Sequence, residues 1–429
     1  MPDKTPWPIV KLGDAVAEIT VGYVGPMTAE YRPSGVPFLR SQNVRRLRID
    51  TEGLCYIGPE FHSRLAKSRL RAGDVVVVRT GEPGTAAAIP EWLGEANCAD
   101  LVVIRPGAVN ARYLAYFINS VATGRIAELV VGAVQQHFNV GAARELSLLL
   151  PPRAEQDAIA ALLGALDDRI ESNVRMTSTL SELGSALFRS WFVDFDQVQA
   201  KHDRREPIGV SVDLLAMLPE HFVDSQIGPL PQGWEIRPLD TIADFLNGLA
   251  LQNYPAKDGL DLPVVKIAQL RAGHSIGAER ASAMLPPQYV IDDGDVIFSW
   301  SGSLMVDVWC GGRGALNQHL FKVTSTEFPK WFVLEWVKEH LSEFQSIAAG
   351  KATTMGHIRR HHLSDAKVVV PSAPVLAALS ELQEPLLKRV ISNRIENRTL
   401  DALRDTLLPA LLSGELTVKQ AEKVVTEVA

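Results

Sequence analysis

Residues 151–195 read PPRAEQDAIAALLGALDDRIESNVRMTSTLSELGSALFRSWFVDF. Within this stretch one set of positions recurs at alternating steps of four and three residues: Ile159, Leu163, Leu166, Ile170, Asn173, Thr177, Leu180, Gly184, Leu187 and Trp191. Mostly apolar residues at this spacing predict a long α-helix with a coiled-coil seam. The buried asparagine, Asn173, would fix the register of the seam, because any slip leaves its amide without a partner.

The same pattern returns after a shift of 220 residues, and Asn393 then stands at the place of Asn173. The shifted positions are Leu379, Gln383, Leu386, Val390, Asn393, Asn397, Leu400, Arg404, Leu407 and Leu411. We therefore predict two long helices that pack on each other as an antiparallel coiled coil. The alternative is that each helix packs only on its own globular domain.

The repeat extends beyond the helices. The segment 73–76, GDVV, resembles 294–297, GDVI, and the segment 169–173, RIESN, resembles 389–393, RVISN. Such ordered matches at a nearly constant shift indicate an internal duplication. Each half therefore contains a globular segment followed by a long helix.

The globular segments alternate short β-branched runs with turns. We predict strands at 74–79, 102–104, 295–300 and 320–323, and one helix in each half, capped by Asn110 in the first and with Pro329 in its first turn in the second. The fold class is α+β, with two similar mixed α/β domains related by a pseudo-two-fold repeat. The polar, proline- and glycine-rich stretch between the halves indicates a connector running over the surface.

The net charge of −7 is unusual for a protein that binds nucleic acid, but basic residues cluster locally. Residues 40–79 hold nine basic and four acidic side chains, and the stretch 351–362 is KATTMGHIRRHH. A local patch of this kind can steer DNA even on an acidic protein. The three distant cysteines and the lack of a long apolar run or signal pattern favour a cytoplasmic protein without a metal site.

No catalytic motif is evident. The nearest approach to an adenine-methyltransferase loop is LPPQY at 285–289, which lacks the leading amide or acid, and no glycine-rich phosphate loop is present. His357 and His361 lie four residues apart without the rest of a zinc motif, so a DNA-facing or surface pair is the preferred interpretation. Two similar domains joined by a helical spacer, with no catalytic motif, fit a protein that reads two stretches of one DNA duplex.

The stretch 151–195 closely resembles the central conserved helix of type I restriction-modification specificity subunits. The segment 228–234, GPLPQGW, resembles this family's entry into its second recognition domain, and 317–320, NQHL, and 407–416, LLPALLSGEL, also fit. The resemblance implies a target recognition domain 1 at 1–152, a spacer helix at 153–193, a linker at 194–232, a target recognition domain 2 at 233–371, a second spacer helix at 372–413 and a tail at 414–429. The second half departs at 372–375, SAPV, where the first has a Pro-x-x-Glu-Gln pattern.

The resemblance also implies the function. Each recognition domain would read one half of a split, asymmetric site in double-stranded DNA, and the helices would hold the domains apart and dock two methyltransferase subunits. This chain would bind no cofactor, whereas S-adenosylmethionine, ATP and magnesium would bind to the methyltransferase and restriction subunits. The alternatives are the recognition part of a single-chain methyltransferase or nuclease, which the missing motifs count against, and a non-catalytic coiled-coil adaptor, which the basic patches count against.

Candidates for base contacts combine arginine with polar amides near turns, because these groups pair with guanine and adenine edges. In the first half the candidates are Arg40, Gln42, Asn43, Arg79, Gln135, Gln136 and His137. In the second half they are Lys266, Gln269, Arg271, Thr353, Thr354, His357 and Arg359. For any one of them, a phosphate contact or no contact is the alternative.

Overall fold

The computed structural model describes residues 7–122, 138–205, 210–256, 259–350 and 356–428. The chain divides into two compact units: unit 1 comprises Met1–Ile170 and Thr399–Ala429, and unit 2 comprises Glu171–Arg398. Both boundaries fall inside the long helices. The units therefore do not follow the helix ends, because the two ends of each helix bury their side chains in different cores.

The helices are numbered in chain order. They are α1 Leu12–Ala15, α2 Pro59–Arg64, α3 Ala111–Phe117, α4 Val140–Glu145, α5 Arg153–Phe192, α6 Asp196–His202, α7 Val212–Met217, α8 Leu239–Ile242, α9 Ile267–Ala272, α10 Lys330–Glu339, α11 Leu341–Ala349, α12 Arg360–Asp365, α13 Ala373–Ser413 and α14 Val418–Val428. A π-helical segment, Ile118–Ala122, continues α3.

The strands are numbered in the same way. In the first half they are β1 Ile9–Lys11, β2 Glu18–Val21, β3 Tyr31–Arg32, β4 Val36–Leu39, β5 Val44–Arg45, β6 Arg48–Ile49, β7 Cys55–Ile57, β8 Arg69–Leu70, β9 Val75–Val78, β10 Ala86–Ala88, β11 Ala96–Cys98, β12 Leu101–Arg105 and β13 Ser147–Leu149. In the second half they are β14 Phe222–Ser225, β15 Gly228–Pro231, β16 Glu235–Pro238, β17 Asp244–Asn247, β18 Asp261–Val265, β19 Arg280–Ser282, β20 Val290–Ile291, β21 Val296–Ser299, β22 Met305–Val308, β23 Gly314–Leu316, β24 Leu320–Thr324 and β25 Lys367–Val370.

Each unit contains a central antiparallel sheet, ordered β10-β9-β12-β2 in unit 1 and β17-β24-β21-β22 in unit 2. Each unit also contains a second sheet, ordered β3-β7-β4-β11-β8 in unit 1 and β19-β18-β23-β20 in unit 2. The second sheet has one parallel pair in each unit, β4 with β11 and β18 with β23. All four predicted strands are confirmed as β9, β12, β21 and β24. The positions of β9 and β12 in the central sheet of unit 1 match those of β21 and β24 in the central sheet of unit 2.

The inner strand β9 of unit 1 is buried on both faces, which explains its continuous run of valines. Its counterpart in unit 2 is β21, and the two are called the central strands. Val75 and Val77 belong to the core that also contains the first part of α5, whereas Val76 and Val78 belong to a second core on the other face. Successive side chains of a strand point to opposite faces, so a strand with a core on each face is apolar throughout. In unit 2, Val296 and Ile297 divide between two cores in the same way.

Both central strands start from the same turn. Gly73 and Gly294 have φ values of +85° and +92°, a region that favours glycine. The side chains that follow accept a backbone hydrogen bond from three residues earlier: Asp74 from Arg71 N at 2.9 Å, and Asp295 from Asp292 N at 2.8 Å. The repeated Gly-Asp pair is thus a repeated turn.

The long helices pack on each other, as predicted. Within unit 2, Asn173 Nδ2 donates to Asn397 Oδ1 at 2.9 Å, Asn393 Nδ2 lies 3.5 Å from Thr177 Oγ1, and Gln383 Nε2 donates to Gly184 O at 3.0 Å. As the residue number increases along α5, the number of the partner on α13 decreases, so the helices are antiparallel. Asn173 and Asn393 are fully buried, as expected for residues that fix a register. Within unit 1, Arg404 donates to Asp167 at 2.8 Å.

The linker and the tail are more ordered than the sequence indicates. The linker, predicted as a surface connector, contains α6, α7 and the β14–β15 hairpin, and it buries Val198, Leu214 and Leu218 in the core of unit 2. This prediction was wrong in that respect, because apolar residues widely spaced in a polar segment give little periodic signal. Residues 418–428 of the tail form α14, which buries Ala421 in unit 1.

The structure confirms the Asn110 cap and corrects the place of Pro329. The Asn110 side chain accepts a hydrogen bond from Tyr113 N at 3.0 Å. Pro329 is not in the first turn of α10 but is its N-cap, immediately before Lys330.

Across the described ranges, no helix is both long enough and apolar enough to cross a membrane. In those same ranges, no group of three or more histidine, cysteine, aspartate or glutamate side chains is placed to hold a metal ion.

Candidate nucleic-acid interface

In each unit a predicted site residue lies at the edge of the central sheet formed by the strand ends, where the inner strand β9 or β21 ends. Arg79 follows the last residue of β9, and its carbonyl oxygen accepts a hydrogen bond from Phe138 N at 3.2 Å. Trp300 follows the last residue of β21 and accepts from Ile358 N at 3.1 Å in the same way. The repeat thus places residues 79 and 300, and residues 138 and 358, at equivalent positions.

In unit 1 this edge carries a charged pair. An Nη atom of Arg79 donates to Asp100 Oδ1, in the turn between β11 and β12, and the Arg79 side chain is 20% exposed. Its Nε is buried without a hydrogen-bond partner among the described residues. A guanidinium held by one carboxylate keeps a fixed orientation for its other N–H groups.

Arg40, Gln42 and Asn43 lie together at the end of β4. Gln42 is exposed, and Arg40 Nη2 donates to Gly53 O at 2.7 Å. Asn43 is fully buried, and its amide bonds the backbone at Arg40 N, Asp50 O and Glu52 O. Asn43 is therefore a structural cap, and its prediction as a base contact is corrected, because all the polar atoms that would read a base are engaged by the backbone.

Unit 2 repeats this arrangement with other residues. Gln269 Oε1 accepts from Lys266 N at 3.2 Å, just as Asn43 Oδ1 accepts from Arg40 N at 3.1 Å. Lys266 Nζ lies 2.7 Å from Glu279 Oε1. Gln269 thus serves the start of α9 with its oxygen, and DNA contacts by Lys266 and Gln269 stay predictions.

The other described candidates in unit 2 lie near the same edge or on the surface. His357 forms a β-bridge with Ser301, and its ring centroid lies 6.2 Å from that of Trp300. Arg359 is exposed at the start of α12. Arg271 is exposed and lines an open cavity of about 660 Å³ with residues that include Met305, Gln345 and Gly356.

Five candidates lie outside the described residues. They are Gln135, Gln136 and His137 in the first half and Thr353 and Thr354 in the second.

Sequence reasoning missed Trp300, Gln318 and His319. Gln318 and His319 lie in the turn between β23 and β24, and with Lys266, Glu279 and Arg280 they line a groove of about 390 Å³. His319 Nδ1 lies 2.9 Å from Ser301 Oγ, which orients the ring. The NQHL segment was a signal for the turn, but a tryptophan at a strand end is more often part of a core, so nothing in the sequence singled out Trp300.

The basic patch of unit 1 is partly neutralised within the unit. Arg45 pairs with Asp50 at 3.3 Å, Arg46 with Asp405 at 3.3 Å, and Arg64 with Glu30 at 3.9 Å. Three further basic residues, Arg48, Lys67 and Arg71, are exposed and form no ion pair among the described residues. Their charges are therefore not neutralised by a neighbouring carboxylate of the described residues.

No family model matches the chain. In sequence it is similar to the type I restriction enzyme MjaIX specificity subunit of Methanocaldococcus jannaschii, with 24% identity over 335 residues that cover 74% of this chain and 72% of the relative. It is also similar to the type I restriction enzyme HindI specificity subunit of Haemophilus influenzae, with 24% identity over 322 residues that cover 63% of this chain and 69% of the relative.

The fold is similar to that of the S subunit of the type I restriction-modification system from M. genitalium. The TM-score is 0.57 and the identity 13%, and the match covers 96% of this chain and 97% of that one. These findings confirm the resemblance and the fold class that the helix motifs predicted. Both relatives in sequence are specificity subunits of type I restriction enzymes.

Proposed function

We propose that this chain is the specificity subunit of a type I restriction-modification complex and that it reads a bipartite, asymmetric DNA site. Unit 1 would recognise one half of the site and unit 2 the other. The observation that carries this proposal is a duplicated sheet edge with different side chains at equivalent positions, Arg79 and Asp100 in unit 1 against Trp300 and His319 in unit 2. Equal folds with unlike side chains are suited to unlike half-sites.

The described residues support base contacts by a short set of side chains. These are Arg40, Gln42 and Arg79 in unit 1, and Lys266, Arg271, His357 and Arg359 in unit 2, each half-buried or exposed beside the sheet edge or on the surface. Arg48, Lys67 and Arg71 would add contacts to phosphates.

The long helices would dock two methyltransferase subunits, and restriction subunits would complete the complex. Outside the packed seam, the helices of unit 2 expose Val174, Met176, Leu183 and Leu382, with 37% to 48% of each residue accessible. Met176 and Leu183 are seven residues apart and therefore share one helix face, and exposed apolar side chains on one face support a protein partner. S-adenosylmethionine, ATP and magnesium would bind to those partners, and the complex would act in the cytoplasm.

The test is a gel-shift experiment with a library of duplexes, using the chain alone and together with its methyltransferase partner. We expect sequence-specific binding to a split site, strengthened by the partner, and no methyl transfer or cleavage by the isolated chain. Methyl transfer that persists after contaminants are removed would favour a single-chain enzyme. Binding of the partner without any DNA preference would favour an adaptor.

Exchange of residues 234–350 for the matching part of a relative tests the division of labour. We expect the second half-site to change and the first to stay the same, as read by sequencing methylated adenines in a host that carries the complex. A change in both half-sites would contradict independent recognition by the two units.

A further inference from the structure

Residues 79 and 300 occupy the same structural position but offer different chemistry. Each directly follows an inner strand of its central sheet, and the two backbone carbonyls accept hydrogen bonds from the equivalent residues Phe138 and Ile358. The side chain in unit 1 is a guanidinium paired with Asp100, whereas the side chain in unit 2 is an indole. A position repeated by duplication and then changed in chemical type is suited to discriminate bases.

The surroundings of Trp300 leave an apolar surface for a ligand. Its indole Nε1–H donates to Asn247 Oδ1 at 2.9 Å, so the only polar group of the side chain is already bonded. The ring is half-buried, and its centroid lies 5.8 Å from that of Phe321 and 6.1 Å from that of His319. The atoms that remain accessible on this side chain are therefore carbon atoms.

The groove next to Trp300 is lined by ion-paired basic side chains and by the acid Glu279. His319 contacts Trp300 on one side and lines the groove with Lys266 and Arg280 on the other. Lys266 pairs with Glu279, and Arg280 pairs with Asp261 at 2.9 Å, so both cations are held in place at the groove wall. These positioned N–H donors beside an apolar ring fit a base edge next to its phosphate.

We infer that Trp300 reads the 5-methyl group of a thymine in the half-site of unit 2, whereas Arg79 reads the O6 and N7 acceptors of a guanine in the half-site of unit 1. This inference rests on the proposed function and adds to it the bases and the residues. In the major groove only thymine carries a methyl group, and an apolar side chain is its natural contact. A guanidinium fork is the commonest partner of guanine, because two of its N–H groups can donate to O6 and N7 together.

The experiment measures the affinity of the full complex, chain with methyltransferase partner, for its own site after single-base replacement. Each thymine in the second half-site is replaced in turn by uracil, which lacks the methyl group and keeps base pairing. We expect one position at which the replacement weakens binding about fourfold, because one buried methyl group contributes roughly 0.8 kcal/mol. Each guanine in the first half-site is replaced by 7-deazaguanine, with an expected loss of about fivefold or more at one position.

Variants connect each effect to its residue. In Trp300→Ala the uracil penalty should disappear while the deazaguanine penalty persists, and in Arg79→Ala the reverse should hold. Trp300→Phe keeps an aromatic ring of similar placement and should keep the uracil penalty, so it covers the case in which Trp300→Ala does not fold. Retention of the opposite half-site response in each variant shows that the other unit is intact.

Two results would overturn the inference. The first is a wild-type complex that binds its split site with no uracil penalty at any thymine of the second half-site. The second is a penalty of equal size in wild type and Trp300→Ala. Both results leave the proposed function intact, whereas a complex that binds no DNA site at all contradicts the proposed function itself.

Discussion

At the scale of single residues, one ion pair connects α13 to the globular part of unit 2. Arg398 Nη1 and Nη2 donate to the two oxygens of Asp293, each at 2.7 Å, and Nη1 also donates to Cys310 O at 2.6 Å. Asp293 Oδ1 further accepts from Gly312 N at 2.8 Å. The hydrogen bond from Arg398 is the main reason that the pKa of Asp293 lies below its ordinary value of 3.8.

A lowered aspartate pKa stabilises the folded state at neutral pH and is lost in acid. The contribution is fully present above the unfolded pKa of 3.8 and declines as the pH falls through the lower folded pKa. We expect Asp293→Asn to lower the free energy of unfolding by about 1–3 kcal/mol at pH 7. In urea denaturation the difference from wild type should shrink below pH 3.8.

An exposed ion pair provides the control for this prediction. Lys388 and Glu384 lie 2.8 Å apart on α13, with side chains 74% and 43% exposed. Lys388→Ala should change stability by less than about 0.5 kcal/mol, since water screens such pairs. A cost for Asp293→Asn that is as small as this, or that is independent of pH, would contradict the stated role.

Arg404 in unit 1 is the second residue whose removal should be costly. Its side chain is only 11% exposed and contacts Asp167 and Asp401 at 2.8 Å and Asp405 at 3.2 Å. Arg404→Met leaves Asp167 and Asp401 without this cation in a partly buried site, so we expect a loss of about 2–4 kcal/mol by thermal or urea unfolding. Arg175→Ala, which removes an exposed pair with Glu171, should be nearly neutral. Equal effects in the two variants would show that the Arg404 cluster is not a buried network.

At the scale of elements, the terminal helix α14 is part of the core of unit 1. Ala421 is fully buried, while Val418 and Val425 pack against the same cluster. Ala421→Asp would bury an unpaired charge and should destabilise the protein by about 3 kcal/mol. Lys423, two residues further on, is exposed, and Lys423→Asp should have little effect in the same melting experiment. A tolerated aspartate at position 421 would mean that α14 is only loosely attached.

The long helices belong to this scale as well, and their length should set the preferred gap between half-sites. Since α5 and α13 are antiparallel in unit 2, both must be lengthened: four residues after Val174 and four after Arg394. Four helical residues add about 6 Å, close to two base pairs, and nearly preserve the seam. We expect unchanged half-sites and a preferred spacer longer by one or two base pairs in methylation sequencing.

An insertion elsewhere is the matched control for the helices. Four residues placed between Gln226 and Ile227, in the turn between β14 and β15, should leave the spacer unchanged. A folded, active complex with lengthened helices and an unaltered spacer would show that other contacts set the gap.

At the scale of the whole molecule, the sequence predicted what periodicity and repetition encode. The seam from Ile159 to Trp191, the central strands and the Gly-Asp turns all follow from residue patterns that have one structural solution. Asn43 was predicted as a base contact because a sequence gives the residue type and not whether the backbone has already bonded the amide. The Arg46–Asp405 pair joins residues 359 positions apart, and no local pattern indicates it.

The four polar residues at the centre of the helix pair have a consequence for how the chain arose. Asn173 contacts Asn397, and Asn393 contacts Thr177. Adding 220 to the α5 residue of the first contact and subtracting 220 from its α13 residue gives the second contact. This is the rule of an isologous interface, in which residue i of one subunit meets residue j of the other and the reverse also holds. The helix pair thus has the contact pattern of a symmetric homodimer within one polypeptide: the equivalent residues Asn173 and Asn393 are identical, whereas the equivalent residues Thr177 and Asn397 differ.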